Sequence, residues 1–454
     1  MSSEFSVAGK QVVVVGAARS GIAAAELLAR RGARVTISER RDSFEGDARL
    51  VSQGVAIERG GHREETFARA DLVVVSPGVP LEQDAFGAAR RRGVELIGEL
   101  ELASRWLKGR VIAVTGTKGK STTTTLIGRM LDADGRRVLV GGNIGVPLSA
   151  QVDASTPETI HVVEASSFQL ETTTTFHPWV AVWLNVAADH LDRHPSPAAY
   201  AAAKARIFAN QDADDWAVVN ADDELVMHYA AAARSRVVAY SLEGAISEGF
   251  VAGGEWIVRR TTTGEERQVP LSAVELTGRH MLNNVLAAVA ASHVAGVAPS
   301  SMTSALRGFH GLEHVMEPAG AIGGVRFVND SKATNIEAAR RSIESFERGV
   351  VALLGGRFKG GDFRDLREAL AARGRAVIAL GEAAPLVRDA LGDLLPVVEA
   401  ASMRAAVERA YELAAPDGVV LLAPGCASFD WFRDYAERGN VFKQEVARLR
   451  GRSR

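Results

Sequence analysis

Val111-Ile-Ala-Val-Thr-Gly-Thr-Lys-Gly-Lys-Ser-Thr122 is the stretch from which the rest of the chain becomes legible. An apolar, β-branched run predicts a buried strand, a glycine-rich turn follows it, and polar residues then open a helix from Ser121 to Leu131. Backbone N–H groups in such a turn, with a helix N-terminus behind them, form a concave site for anionic oxygens. Lys120 supplies a charge that follows phosphate, and the Ser121 hydroxyl suits Mg2+. The standard P-loop pattern places a glycine at position 114, where this chain has Val114, so the loop is the shorter Gly116-x-x-Gly119-Lys120-Ser121. A nucleoside triphosphate is the expected guest.

The chain of 454 residues is too long for one ordinary core, so two or three domains are expected. Its 47% hydrophobic and 24% charged content belongs to a globular protein, and a formal net charge of −2 leaves no electrostatic footprint for nucleic acid. Met1 to Lys10 lack a basic start followed by an apolar core, and no apolar run reaches the ~18 residues of a membrane span. Cys426 stands alone, which excludes an internal disulfide framework and fits a reducing compartment. A cytoplasmic protein without membrane insertion is expected.

Around the opening stretch the chain divides into three α/β blocks, each predicted to carry a mainly parallel sheet. Residues 1–98 form an N-terminal Rossmann-like block, with strands at Gln11–Gly16, Ala33–Ser38 and Asp71–Ser76 and a helix from Ser20 to Arg31. Glu99 to Gly109 reads as a charged connector. Residues 99–310 form a central block of the P-loop ATPase type, with further strands at 137–140, 159–163, 180–184 and 216–220, hairpins between Glu243 and Pro270, and a helix from Asn283 to Ala295. Residues 311–454 restart the alternation as a second Rossmann-like block, with strands at 325–328, 349–354, 376–380 and 419–422.

Gly16-Ala-Ala18-Arg-Ser-Gly21 approximates a dinucleotide fingerprint, and Glu39 stands where a ribose-binding acid belongs. Ala18 replaces the glycine that lets backbone approach a pyrophosphate. A dinucleotide site, a packing turn and a site for a nucleotide diphosphate all fit these residues. Ser76-Pro-Gly78 would join the pocket rim in the last case.

Two further strand ends share an edge with the phosphate loop. His161-Val-Val-Glu164 ends a buried run on a carboxylate, beside Ser166 and Gln169, and Asn185 leads into Asp189-His190. Mg2+ takes oxygen ligands and one or two carboxylates, which makes Glu164 a candidate ligand and His190 a less usual one. By residue type alone Glu164 also reads as a cap, His190 as a packed imidazole, and Lys204 as a solvated lysine on an alanine-rich helix.

Taken in order, Gly116–Thr122, Gly142-Asn-Ile-Gly145, Glu164-Ala-Ser-Ser-Phe-Gln-Leu170, Asn185–Arg193 and Asn329-Asp-Ser-Lys-Ala-Thr-Asn335 resemble the Mur ligases. The Asn329–Asn335 segment and Gly425-Cys-Ala-Ser-Phe-Asp430 are similar to those of the member that adds D-glutamate. The resemblance runs from Gly16 to about Phe442. It implies ATP-dependent amide ligation in peptidoglycan precursor synthesis, with UDP-N-acetylmuramoyl-L-alanine and D-glutamate as partners and ATP and Mg2+ as cofactors. A monomer is expected.

The resemblance also implies roles. Gly116, Thr117, Lys118, Gly119, Lys120, Ser121 and Thr122, with Asn284, Asp330 and Lys332, would bind ATP. Ser121, Glu164, His190 and Lys204 would serve the metal, Lys204 after reacting with CO2 to form a carbamate; Lys120, His190 and Lys204 would be catalytic. Ser20, Glu39, Ser76, Asn143, Ser166 and Gln169 would face the UDP-substrate, and Thr334, Lys359, Ser428 and Phe429 the D-glutamate.

Three positions depart from the family pattern. Met281 replaces a nucleotide-contacting asparagine, Val315 follows His314 where an arginine is usual, and Arg40 stands at the uridine end. Cys426 has no histidine or acid arrangement in sequence that makes it a nucleophile, so a packed residue is expected. The competing readings are a different amino-acid ligase of the same superfamily, a dinucleotide-dependent oxidoreductase, and a nucleotide-regulated binding protein without chemistry.

Overall fold

In the computed structural model of the protein, which describes residues 5–44, 46–187, 193–276, 278–358 and 360–452, each apolar run that ends in a glycine turn lies inside a sheet. The first sheet contains β1 (Gln11–Val15), β2 (Arg34–Ser38), β3 (Ala56–Glu58), β4 (Leu72–Val75) and β5 (Leu96–Gly98), in the order β3-β2-β1-β4-β5. All its pairings are parallel. Four consecutive valines let β1 bury both faces between helices, which is how central parallel strands are built.

The second sheet contains β6 (Arg110–Thr115), β7 (Arg137–Gly142), β8 (Thr159–Glu164), β9 (Val180–Trp183), β10 (Trp216–Asn220) and β11 (Arg236–Ser241), followed by β12 (Gly249–Gly253), β13 (Trp256–Thr261) and β14 (Gly264–Pro270). Its order is β14-β13-β12-β11-β10-β9-β6-β8-β7, and only the β12–β14 ladder is antiparallel. The third sheet contains β15 (Glu317–Ile322), β16 (Val325–Asn329), β17 (Val350–Gly355), β18 (Gly374–Leu380), β19 (Val397–Ala400) and β20 (Val419–Leu422), ordered β15-β16-β20-β17-β18-β19, with β15 antiparallel to β16. Three α/β layers with mainly parallel sheets therefore match the expected fold class. No helix among the described residues is long and apolar enough to cross a membrane.

The chain forms two compact units, Met1–Phe309 with the first two sheets and His310–Arg454 with the third. The supposed charged connector explains why the first two sheets share a unit. It is no solvated linker: Glu99–Ser104 is a helix whose Glu99 and Glu101 are both buried. Leu100 and Ala103 pack into the core of the second sheet together with Leu27 from the first helix, while Leu102 packs into the core of the first. Glu101 accepts the backbone N–H groups of Thr174, Thr175 and Phe176 at 2.9–3.0 Å and the Arg105 guanidinium at 2.9 Å. Glu99 accepts the Ser149 N–H at 2.6 Å.

The strands that the sequence pattern does not reveal are β3, β5, β11, β15 and β19. Each has exposed or half-buried positions where a buried strand would be uniformly apolar, and β15 carries Pro318 and Gly320.

Burial pushes the Glu101 carboxyl up, but hydrogen bonds from Thr175, Thr174 and Arg105 outweigh it and hold the group below the ordinary value of 4.5. A carboxylate with a depressed folded pKa stabilises above its unfolded pKa and loses that contribution as pH falls through the folded value. Glu101→Ala should therefore cost about 3–5 kcal/mol by leaving buried donors without an acceptor. In a pH series of melting curves, the gap between wild type and the Glu101→Gln variant should narrow on acidification below the ordinary value. An unchanged melting temperature in Glu101→Ala would contradict this account.

Candidate active site

Ligands of open α/β sheets bind beyond the carboxyl ends of the strands, where the strand order reverses. In the second sheet β6 lies between β8 and β9, so its end at Thr115 is such a point. Gly116 continues from it at a φ of +151°, and a Cβ there would stand 3.0 Å from Leu184 Cβ, which only glycine avoids. The turn is then held from the end of β9. Asn185 Oδ1 accepts the N–H groups of Thr117 and Lys118 at 3.1 and 2.9 Å, and its amide donates to Lys118 O at 3.1 Å. The helix Lys120–Ala133 begins behind it.

Two lysines meet at this turn. Lys120 Nζ donates to Gly116 O at 2.9 Å and to Thr117 O at 3.0 Å, and Lys204 Nζ donates to Gly116 O at 2.8 Å. Lys204 is only 1% exposed, which removes the reading as a solvated helix-face lysine. Ser196 caps its helix, Pro197–Ala205, and that helix aims Lys204 inward. The Lys204 ammonium lies 4.5 Å from the centre of the Tyr200 ring, whose hydroxyl is 3.3 Å from Thr117 Oγ1. Asn284 abuts the other end of the turn: a Cβ on Gly119 would come within 2.1 Å of its Oδ1. The Asn284 amide faces Met281 Sδ at 3.9 Å, a weak sulfur contact where the family pattern has a polar amide.

Glu164, at the end of β8, is buried and occupied on both oxygens. Ser121 Oγ donates to Oε2 and Asn143 Nδ2 to Oε1, each at 2.7 Å. Hydroxyl and carboxylate oxygens thus converge beside the phosphate loop, a hard-oxygen set that fits Mg2+. Ser166 caps the helix Ser167–Leu170 in a capping box with Gln169. Gln169 is 2% exposed, its Oε1 accepts the Ser166 N–H at 3.0 Å, and its buried Nε2 has no hydrogen-bond partner among the described residues. His190 falls within residues 188–192, outside the described residues, as does Lys359.

The first sheet has its own reversal at β1, between β2 and β4. Ser76, after β4, donates its hydroxyl to Gly16 O at 3.1 Å, and Ser20 lies in the first turn of the helix that follows. Glu39 accepts the Ala17 N–H at 2.7 Å and the Arg41 N–H at 3.1 Å, and pairs with the Arg41 guanidinium at 3.0 Å. Burial alone would raise its pKa; these hydrogen bonds bring it down to about 2. Glu39 is therefore a permanent anion that clasps the glycine turn. Arg40 donates to Gln83 Oε1 at 2.9 Å, beside a cleft of about 400 Å3 lined also by His62, Glu82 and Asp84. A further cleft of about 410 Å3, around Arg110, His177 and Asp215, touches the opposite edge of the second sheet and none of these loops.

In the unit His310–Arg454, two segments singled out in the sequence come together. Gly425 N donates to Ala333 O at 2.9 Å, which joins the Asn329–Asn335 and Gly425–Asp430 stretches. Asp330 is buried and accepts the Met316 N–H at 3.2 Å and the Ser342 hydroxyl; burial raises its carboxyl pKa. Lys332 N donates to His314 O at 3.0 Å and Thr334 N to Lys332 O at 2.8 Å. Ser428 is buried, whereas Phe429 is 59% exposed. Cys426 is buried, the packed residue expected.

Arg438 was not among the residues expected to matter. Its guanidinium donates to Ser331 Oγ at 2.9 Å, Ser331 O at 2.8 Å and Cys426 O at 3.0 Å, and burial lowers its pKa to about 10. The available signal was spacing: Arg438, Phe442 and Val446 share the buried face of the helix Tyr435–Arg452. Asn185 and Tyr200, also unassigned from sequence, stood inside or beside quoted motifs.

Comparison with known proteins gives one family throughout. Residues 10–98 match the N-terminal domain described as Mur ligase MurD-like, residues 114–292 the Mur ligase middle domain, and residues 316–426 the Mur ligase glutamate ligase domain. A UDP-N-acetylmuramoylalanine–D-glutamate ligase of Acidobacterium capsulatum is 47% identical over 98% of this chain and 97% of its own. That of Koribacter versatilis is 42% identical over 98% of each. Among solved structures, the UDP-N-acetylmuramate-alanine ligase MurC of Thermotoga maritima shares the fold at a TM-score of 0.56 and 19% identity, covering 97% of this chain and 100% of its own.

The close approach of Gly119 to Asn284 sets a test of the loop. Gly119 has a φ of +87°, so Gly119→Ala adds both a left-handed backbone penalty of ~1–2 kcal/mol and a clash with the amide. Affinity for a fluorescent nucleoside triphosphate analogue should fall at least roughly tenfold. Unaltered affinity would mean that the turn does not hold the nucleotide.

Proposed function

The chain belongs to the Mur ligase family, in the branch of the UDP-N-acetylmuramoylalanine–D-glutamate ligases, and we propose that it joins D-glutamate to UDP-N-acetylmuramoyl-L-alanine at the expense of ATP. The observation that carries this reading is the convergence of Lys120 and Lys204 on Gly116 O, beside the Ser121–Glu164–Asn143 cluster. Carboxylate and amine do not condense in water at neutral pH, so the substrate carboxylate is first phosphorylated. Its oxygen takes the γ-phosphoryl group and ADP departs. The D-glutamate amine then attacks the acyl carbon, a tetrahedral intermediate collapses, and phosphate leaves.

The protein's part is positioning and charge neutralisation. The backbone N–H groups of the turn from Gly116 to Ser121 cradle the phosphates, and Lys120 exchanges its carbonyl partners for phosphoryl oxygens. Asn284 borders the nucleotide; Asp330 and Lys332 serve the same ligand. Ser121, Glu164, His190 and Lys204 are the residues that would hold Mg2+, whose charge offsets that building up on the transferred group. Lys204 gives up one proton to become an amine, adds CO2 at Nζ and loses a second proton, which turns an ammonium into an anionic oxygen donor. Ser20, Glu39 and Ser76 frame the uridine end, Glu39 by fixing the turn. Asn143, Ser166 and Gln169 face the muramoyl-alanine end; the buried Gln169 Nε2 supports this, as a donor with no acceptor among the described residues. Thr334, Lys359, Ser428 and Phe429 receive D-glutamate. Residues 1–98, 99–310 and 311–454 are accordingly the UDP-substrate, ATP and D-glutamate domains of a cytoplasmic monomer.

Purified protein supplied with ATP, Mg2+ and UDP-N-acetylmuramoyl-L-alanine should release phosphate in multiple turnovers only when D-glutamate is added. Equal turnover with L-glutamate or L-alanine would defeat the assignment. Lys204→Ala should lose at least roughly a hundredfold in kcat, about 3 kcal/mol of transition-state stabilisation, and regain part of it with short carboxylic acids in the buffer. Full activity of that variant without additive would exclude the carbamate.

A further inference from the structure

On the ligation reading above, we propose that Arg193 is a positioning residue that holds the uridine-side rim of the first sheet against the phosphate-loop side of the second. Its guanidinium lies between the two. On one side NH2 donates to Val79 O at 2.7 Å and NH1 to Gly78 O at 3.4 Å. Those carbonyls belong to the turn after β4, closed by Val79 N donating to Ser76 O at 2.9 Å. Ser76 in turn bonds Gly16 O, so the acceptors of Arg193 are part of the rim at the first sheet's reversal.

On the other side Arg193 lies over the Phe168 ring, 5.3 Å from its centre, and NH2 reaches Glu171 Oε1 at 3.4 Å. Phe168 belongs to the short capped helix that carries Gln169. The next residue, His194, continues the strap: its ring stacks on Phe168 at 5.4 Å, Nε2 lies 3.0 Å from Ser167 Oγ, and Tyr200 is 5.2 Å away. Tyr200 reaches Thr117 of the phosphate turn. A single line of contacts therefore runs from the rim turn through Arg193, Phe168, His194 and Tyr200 to the phosphate loop. Arg19 makes the reciprocal bridge, donating from the first block to Gly145 O in the second at 3.1 Å.

Arginine suits this place for physical reasons. Its planar fork meets two successive carbonyls at once and stacks on an aromatic face, whereas lysine offers a point charge. Its side chain is only 20% exposed and that of Glu171 22%, so the contacts are partly shielded from solvent. The consequence is geometric. The uridine end of the substrate rests on one side of this strap and its reacting carboxylate on the other, so loosening the strap separates the two anchor points of one molecule. ATP touches one side only and is spared.

Steady-state kinetics and calorimetry on the full chain test this, with Arg193→Met retaining the apolar stem and Arg193→Lys retaining the charge. Arg193→Met should raise the KM for UDP-N-acetylmuramoyl-L-alanine roughly tenfold or more through the loss of two hydrogen bonds, with the KM for ATP within about twofold of wild type. Arg193→Lys should recover less than half of the loss. Calorimetric Kd for UDP-N-acetylmuramoyl-L-alanine without ATP should weaken by the same factor, and it reads the role of Arg193 even if wild type shows no D-glutamate-dependent turnover, which would sink the ligation reading alone. The proposal is overturned if this Kd stays within twofold of wild type in both variants. It is equally overturned if affinity for ATP and for the UDP-substrate falls by a common factor, as general destabilisation would produce.

Discussion

The Gly116 carbonyl, receiving two lysine ammonium groups at the end of a buried parallel strand, is the interaction around which the catalytic unit is organised. Two cations beside one carbonyl and a row of backbone N–H groups concentrate positive potential where a polyphosphate is expected to lie. Such potential is strong only where solvent is kept away. The sheet supplies that condition, because β6 is flanked by β8 and β9 and each neighbour delivers one element of the site at its own end. β8 ends on Glu164 and β9 leads into Asn185. Displacing any of the three strands by one residue would turn these groups to the opposite face of the sheet.

This arrangement requires the first two sheets to keep a fixed relation. The helix Glu99–Ser104 secures it by presenting apolar residues to both cores and a buried carboxylate to three backbone N–H groups. A buried anion with several aligned donors is costly to disturb and sets one geometry. Between the carboxyl ends of these two sheets the same task falls to arginines that bond carbonyls of the opposite block, Arg19 and Arg193. Rigid packing below and polar straps above thus act on the same pair of sheets.

The departures from the family pattern have local compensations of a modest kind. Among the described residues Met281 offers the Asn284 amide a sulfur contact, and Asn284 remains buried against Gly119. Val315 removes a guanidinium, and the adjacent His314 is instead buried, its Nδ1 accepting from Asn329 Nδ2 at 2.9 Å. Burial first, and then the nearby Lys443, lower the His314 pKa below the ordinary imidazole value, which favours the neutral form. Asn329 also donates to Glu317 Oε2 at 2.9 Å, which stiffens the start of the segment that carries Asp330.

Periodicity and glycine turns were enough to expect three α/β blocks and to place β1, β6 and β8, because strands buried on both faces must be continuously apolar. Edge strands such as β3 and β19 escaped, since half-exposed strands carry no such run. The phosphate loop was legible because its chemistry is written in consecutive residues. Glu99, Glu101, Arg193 and Arg438 were not, for each depends on backbone partners distant in sequence. Lys204 shows the division most plainly: composition made it a surface lysine, a family resemblance made it a site residue, and only the packing of its helix against Gly116 buries the ammonium. Local sequence determines which elements form and which turns receive phosphate, because those depend on neighbours along the chain. Which charges become permanent internal partners is decided by tertiary structure, because desolvation and hydrogen bonding depend on neighbours in space.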